Sequence, residues 1–248
     1  MADVRPTWVA RWISAEIQRT SFHPLREAIE TVLVVHLVGK SPEAIAELGE
    51  ELEKAVYDFL GVITDEQKED ALDPTFELAG DPKGGHIRAL NTDAPKVLPV
   101  LQAMPSERFE AFCVSVLTAI GGEARRVGGT GDGGVDFVAT DAPLGTIPGP
   151  AFRRGAPLIV GQAKRYRHDK FVSEAELRDF VGGGLLKLDE VRRENSERFG
   201  LLCPAVFAFW TTSQFTESAK DYARRMGIWS LNGLALAQLA CKLKLDIS

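Results

Sequence analysis

The run Leu158-Ile159-Val160-Gly161-Gln162-Ala163-Lys164 opens like a strand buried on both faces and closes on an amide and a lysine. Strand side chains alternate, so Gln162 and Lys164 share one face and Ala163 takes the other. Upstream lies a glycine-rich loop, Gly128-Gly129-Thr130-Gly131-Asp132-Gly133-Gly134-Val135-Asp136, and its last residue is an acid. A carboxylate, an amide oxygen and an ammonium brought to one spot suit a hard divalent cation and a phosphodiester.

The loop also spells GxGxxG over Gly129–Gly134. That pattern binds a dinucleotide only when a helix follows, because the pyrophosphate sits on the helix N-terminus. Here Val135-Asp136-Phe137-Val138-Ala139 follows, which reads as a strand, so dinucleotide binding is excluded. The glycines allow a tight hairpin turn and a close backbone approach. They do not account for an acid between Val135 and Phe137. Alone, such an Asp is usually a solvated residue on a strand's outer face. Beside Gln162 and Lys164 it is better read as a ligand. Lys164 leaves an apolar run, so its ammonium is expected to be partly desolvated and near a counter-charge. One carboxylate with carbonyl oxygens matches Mg²⁺, which keeps waters and borrows substrate oxygens. Glu110 is a third candidate, at the edge of the apolar stripe of a helix between Phe109 and Phe112; an ordinary solvated helix glutamate is the competing reading.

The surrounding pattern gives the architecture. The back half alternates: helix Ser106–Ile120 closed by Gly121-Gly122, strand Glu123–Val127, the glycine loop, strand Val135–Ala139, a Pro/Gly loop over 141–157, strand Leu158–Lys164, helix Ser173–Asn195, strand Leu201–Thr211, helix Phe215–Met226, strand Ile228–Leu231 and helix Gly233–Leu243. This order predicts a mixed α/β sheet flanked by helices. The front half reads as a small all-α domain. Its predicted helices run from Pro24 to Val38, from a Ser41 cap and Pro42 to about Leu60, and from Thr64 onward. Residues 73–97, with Asp81-Pro82-Lys83-Gly84-Gly85, read as a linker. The expected domains are therefore 1–97 and 98–248.

Charge separates the same halves. Residues 1–100 carry 10 Lys/Arg against 18 Asp/Glu, a net of −8, and residues 101–248 carry 19 against 17, a net of +2. A polyanion is plausible only for the back half. Its basic residues fall in pairs, Arg125-Arg126, Arg153-Arg154, Arg192-Arg193 and Arg224-Arg225, most of which read as solvated surface. The exception is Arg165-Tyr166-Arg167-His168 with Lys170, which leaves the Gln162/Lys164 strand where backbone phosphates would lie. Three scattered cysteines, Cys113, Cys203 and Cys241, fit neither a zinc site nor a disulfide framework and are expected to be free thiols. Asp3 and Glu16 interrupt the N-terminus, and the apolar run Val32–Val35 is too short for a bilayer, so a cytoplasmic protein is expected.

At these residues the chain resembles the catalytic domain of Mrr-type restriction endonucleases, a branch of the PD-(D/E)xK nuclease superfamily. The resemblance is carried in order by Phe109-Glu110, Gly131-Asp132-Gly133-Gly134-Val135-Asp136, Gln162-Ala163-Lys164-Arg165-Tyr166, Val172-Ser173 with Phe180 and Gly182, Thr211-Thr212-Ser213-Gln214-Phe215-Thr216 with Ala219, and Asn232-Gly233-Leu234 with Leu239. It covers about residues 105–243 and implies a restriction-endonuclease-like fold. It further implies a metal-binding Asp136, an accessory acid in Glu110, Gln162 where most of the superfamily has Glu or Asp, and Lys164 as the catalytic lysine. The Ala163 carbonyl would complete a site for Mg²⁺ or Mn²⁺. Arg165, Tyr166, Arg167, Lys170, Arg153 and Arg154 are the candidate DNA contacts, and a homodimer is expected from the need to cut two strands. The implied activity is metal-dependent DNA cleavage in restriction or defence. The competing reading is a catalytically inactive module of the same fold that binds DNA or a partner. Residues 1–97 match no motif; their acidity points to a regulatory ligand or protein partner.

Overall fold

The computed structural model describes residues 4–69, 72–90, 93–127, 134–141, 157–167, 170–195, 199 and 203–247. The chain divides into two compact units, Met1–Lys96 and Val97–Ser248.

Three helices build the first unit: α1 (Pro6–Glu16), α2 (Leu25–His36) and α3 (Pro42–Glu69). Their apolar stripes meet in one core containing Ile13, Leu25, Ile29, Leu33, Val56 and Leu60. Ser41 caps α3 as expected, its Oγ accepting from the Ala44 N–H at 3.3 Å. The sequence reading departs from the structure in three places. It has no α1, which begins with Pro6 at its first position and buries Val9, Ala10 and Ile13. The helix expected to start at Thr64 is the continuation of α3; Thr64 is absorbed by donating its Oγ1 to the Leu60 carbonyl at 3.0 Å. The unit is helical but not all-α. The stretch read as linker contains β2 (Phe76–Ala79) and β3 (His86–Ala89), which with β1 (His23–Pro24) form an antiparallel sheet in the order β1-β3-β2. Four-residue strands are too short to show a period, and what recruits them is burial of Phe76, Ile87 and Ala89 in the helical core. Gly80 and Gly84, at φ of 86° and 102°, make the turn between them.

In the second unit α4 (Ala94–Ala103) and α5 (Ser106–Ala119) lead into a five-stranded sheet: β4 (Glu123–Arg126), β5 (Phe137–Thr140), β6 (Leu158–Lys164), β7 (Ala205–Thr211) and β8 (Trp229–Leu231). The spatial order is β4-β5-β6-β7-β8. β4, β5 and β6 pair antiparallel, and β6, β7 and β8 parallel, so the sheet is mixed as expected. The parallel crossovers are made by α6 (Glu174–Glu194) and α7 (Glu217–Met226), and α8 (Gly233–Leu243) closes the chain. Leu158 and Val160 of β6 join Phe209 of β7, Phe180 of α6 and Ala219 of α7 in one core. On the other face Phe137 lies against Trp210, ring centroids 5.2 Å apart, and α5 covers β4, β5 and β6. β6 is buried along its whole length up to Lys164, which is half-buried. A polar pair at its C-terminal end therefore emerges from a dry interior at the sheet's rim. The cysteines are free thiols, with Cys113 buried. Among the described residues no helix is long and apolar enough to cross a membrane.

Candidate active site

β5 and β6 part at their upper ends. The last ladder pair is Phe137 with Gly161, whose missing side chain makes room for the Phe137 ring. Asp136 lies one residue before β5, with its N–H on the Gly161 carbonyl at 2.9 Å. Its side chain then spans the gap: Oδ2 accepts from the Ala163 N–H at 2.8 Å. In an extended strand a residue's N–H and C=O point to the same edge, so the Ala163 carbonyl is directed to the Asp136 side as well.

Gln162 and Lys164 point off the same face of β6. Gln162 is buried, and its Nε2 lies beneath Gly134, where a Cβ would come within 2.7 Å. Gly134 has a φ of 78°, so the glycine supplies both the left-handed turn and the space over the amide. Glu110 projects from α5, mostly covered, and accepts from Arg126 of β4 at 2.6 Å.

Burial pushes the Asp136 carboxyl up to about 6. The Ala163 N–H works against that, the Glu110 charge adds to it, and Lys164 and Arg126 oppose it. A desolvated carboxylate that feels a second carboxylate, an ammonium and a guanidinium belongs to one electrostatic unit with them. Asp136, Glu110 and Lys164, remote in sequence, are thereby brought together, with Gln162 and the Ala163 backbone at the same strand end.

The donors fit a hard cation. They are all oxygens: two carboxylates, an amide oxygen and a backbone carbonyl, the small carboxylate number that Mg²⁺ accepts. Among the described residues no group of three or more His, Cys, Asp or Glu side chains is placed to hold a metal.

The basic tract is partly tied down. Tyr166 donates its hydroxyl to Glu176 Oε1 at 2.5 Å, and Lys170 Nζ sits 3.8 Å from the centre of its ring. Tyr166 is therefore packed between neighbours, with its ring already covered on one side by a cation. Arg167 and Lys170 are exposed and Arg165 is half-buried. Arg153 and Arg154 lie outside the described residues.

Two site neighbours escaped the sequence reading. Arg126 read as half of a surface pair, yet the register sets it opposite Phe137, next to Asp136. Counting back along β4 from the hairpin would have found it. Cys113 lies one helical turn from Glu110 on α5; burial raises its thiol's proton affinity, and Asp136 and Glu110 raise it further. It carries no sequence signal beyond the i, i+3 spacing from Glu110.

Comparison with known proteins places the same segment. The chain is 31% identical over 155 residues to the type IV methyl-directed restriction enzyme EcoKMrr of Escherichia coli (strain K12), a match that takes in 60% of this chain and 42% of that enzyme. The chain thus spans less than half the length of that curated relative. The MspJI restriction endonuclease, solved in complex with a 27-mer oligonucleotide, aligns with a TM-score of 0.41 at 18% identity, over 61% of this chain and 32% of that one. The Mrr catalytic family, described as restriction endonuclease, matches residues 101–188, the stretch that carries Glu110, Asp136, Gln162 and Lys164. Residues 101–188, with all four candidate site residues, are thus the part of this chain that is similar to the Mrr restriction endonuclease family.

Proposed function

We propose that the second unit is a divalent-metal-dependent endonuclease that hydrolyses DNA phosphodiester bonds and serves in restriction or defence against foreign DNA. The observation that carries this reading is the Asp136 carboxylate on the Ala163 N–H, within the fields of Glu110 and Lys164 at one strand end.

Asp136, Glu110, the Gln162 amide oxygen and the Ala163 carbonyl would hold Mg²⁺ or Mn²⁺. When bound, the ion supplies Lewis acidity to a phosphate oxygen and to the attacking water. Lys164, on the face it shares with Gln162, orients that water and offsets the negative charge that grows on the phosphoryl oxygens. Gln162, held under Gly134, keeps its amide fixed without adding a negative charge to the site. Arg126 holds the Glu110 carboxylate in place through their ion pair. Arg165, Arg167 and Lys170 continue from the strand end as phosphate contacts that position the duplex without reading its sequence.

The acidic first unit would gate cleavage by binding a ligand or partner, and two copies of the chain would act together on two strands. The test is a plasmid-nicking assay with purified protein, with Mg²⁺, with Mn²⁺ and with chelator, on methylated and unmethylated DNA, beside Lys164→Ala. The methylated arm follows the methyl-directed activity in the relative's name. Metal-dependent nicking that Lys164→Ala abolishes supports the reading. Nicking by Lys164→Ala at the wild-type rate refutes it, and a folded wild type that never nicks leaves the inactive binding module. A chain beginning at Asp93 that cuts like the full chain in every condition would remove the gating role.

A further inference from the structure

The ladder between β6 and β7 ends at the pair Lys164 with Thr211. Beyond it, side chains take over the backbone of the lysine segment. Thr211 Oγ1 donates to the Lys164 carbonyl at 2.8 Å, and the Thr212 N–H donates to the same carbonyl at 3.2 Å. Thr212 Oγ1 accepts from the Tyr166 N–H at 2.9 Å and donates to the Tyr166 carbonyl at 2.7 Å. Ser213 Oγ donates to the Lys170 carbonyl. Three consecutive hydroxyls thus grip three carbonyls of one basic tract, at Lys164, Tyr166 and Lys170.

All three residues are buried, Thr211 and Thr212 at 0% and Ser213 at 3% exposure. Valine would fill the threonine positions equally well, so the hydroxyls are there for what they bond. The hydroxyl-bearing strand end is itself anchored. Gln102 of α4 donates to the Thr212 carbonyl at 3.1 Å, and the Gly233 N–H donates to the Ser213 carbonyl at 2.9 Å. Any side chain at position 233 would come within 2.3 Å of the Thr212 carbonyl oxygen, so α8 starts hard against this segment. The restraint runs from α4 and α8 through the three hydroxyls to the lysine. These residues lie beyond the 101–188 family match.

We propose that Thr211-Thr212-Ser213 is the positioning element of the active centre. Thr211 sets where the Lys164 ammonium sits, and Thr212 and Ser213 hold the backbone at Tyr166 and Lys170 so that the basic side chains Arg165, Arg167 and Lys170 meet DNA phosphates. None of the three touches the reacting atoms. The assignment rests on the nuclease reading, and it predicts that chemistry and DNA binding separate along three adjacent residues. Thr211→Val removes the hydroxyl and keeps the shape. It lowers kcat by about tenfold or more through a misplaced Lys164 while KM stays within about twofold. Thr211→Ser restores kcat. Ser213→Ala leaves kcat and raises KM for DNA by about fivefold.

The experiment is steady-state cleavage of a plasmid by the full chain and these variants, with thermal melts on each, and amide exchange by NMR on wild type and Thr212→Val. The exchange arm needs no cleavage: Thr212→Val speeds exchange of the Tyr166 N–H about tenfold and leaves the Val160 N–H unchanged. The proposal is overturned if Thr211→Val keeps its kcat, if Thr211→Ser fails to restore it, or if activity falls only in step with the melting temperature. An unchanged Tyr166 exchange rate overturns it as well. A wild type that does not cut removes the nuclease reading, and the exchange result then decides the hydroxyl clamp by itself.

Discussion

The carboxylate of Asp136 reaches across from the start of β5 to the backbone of Ala163 on β6, 2.8 Å from the N–H. That one bond aligns the acid with the strand whose flanking residues are Gln162 and Lys164. It also couples the site to the fold, so changes at the site should be read both in chemistry and in stability.

Lys164→Ala should cut at least about 10²-fold more slowly than wild type, the scale of losing one preorganised donor at a developing charge. Lys164 is half-buried at a strand end, with its backbone carbonyl bonded to Thr211 and Thr212, bonds that its side chain does not make. Its melting temperature should therefore match wild type. Plasmid linearisation and a thermal melt on the same preparation check both halves.

Asp136 predicts a pH dependence of opposite sign for stability and for activity. Burial raises its carboxyl from 3.8 to about 6 in the folded protein. A raised acid pKa means the native state holds the proton more tightly than the unfolded chain. The stability this confers is complete below the unfolded value and is lost as pH rises through about 6. In chelator at pH 8, Asp136→Asn should melt above wild type, and the gap should close near pH 4. Adding Mg²⁺ at pH 8 should raise the wild-type melt and not that of Asp136→Asn. Cleavage should fall as pH drops below about 6, where the ligand becomes protonated. Equal melts of the two proteins at pH 8 without metal would count against a desolvated Asp136.

Gly134→Ala should disable the site from outside it. Its φ of 78° strains any side chain, and the new Cβ would stand 2.7 Å from Gln162 Nε2. A cost of about 1–2 kcal/mol is expected in urea unfolding, together with a shifted metal dependence as Gln162 is displaced. A variant with wild-type metal dependence would separate Gln162 from the metal site.

Gln162→Glu places a third negative charge beside Asp136 and Glu110. It should lower the Mg²⁺ concentration needed for half-maximal cleavage and lower the melting temperature in chelator. Both follow from like charges forced together in a partly desolvated site. Titrations of rate against Mg²⁺ concentration and melts in chelator give the two readings.

Gly161→Ala tests the floor of the site. A Cβ there would meet the Phe137 ring at 2.0 Å, and Phe137 is wedged against Trp210. Destabilisation of about 3 kcal/mol is expected by urea unfolding, the upper range for overpacking a close-packed core.

β5, β6 and β7 were legible because they are largely apolar runs bounded by breaks, and β6 matches its expected bounds residue for residue. The sheet β1-β3-β2 was not, because two- and four-residue strands have no measurable period and form only where a helical core offers a place for Phe76 and Ile87. The long α3 was misdivided because a threonine and an acid look like a cap until the i−4 carbonyl claims the hydroxyl.

The sequence by itself determined the chemistry available at one strand end: an acid after a glycine loop, and an amide and a lysine two residues apart, facing the same way because strand geometry allows nothing else. Only the tertiary structure decided what those groups answer to. Antiparallel register put Arg126 beside Glu110 and Asp136, α5 delivered Glu110, and Thr211, Thr212 and Ser213 closed on the lysine segment from the next strand. The hydrogen-bonded pairs among them lie 16 to 47 residues apart along the chain. Local periodicity fixes which face a side chain takes, whereas the neighbour across that face depends on how strands and helices pack, which no short stretch of sequence encodes.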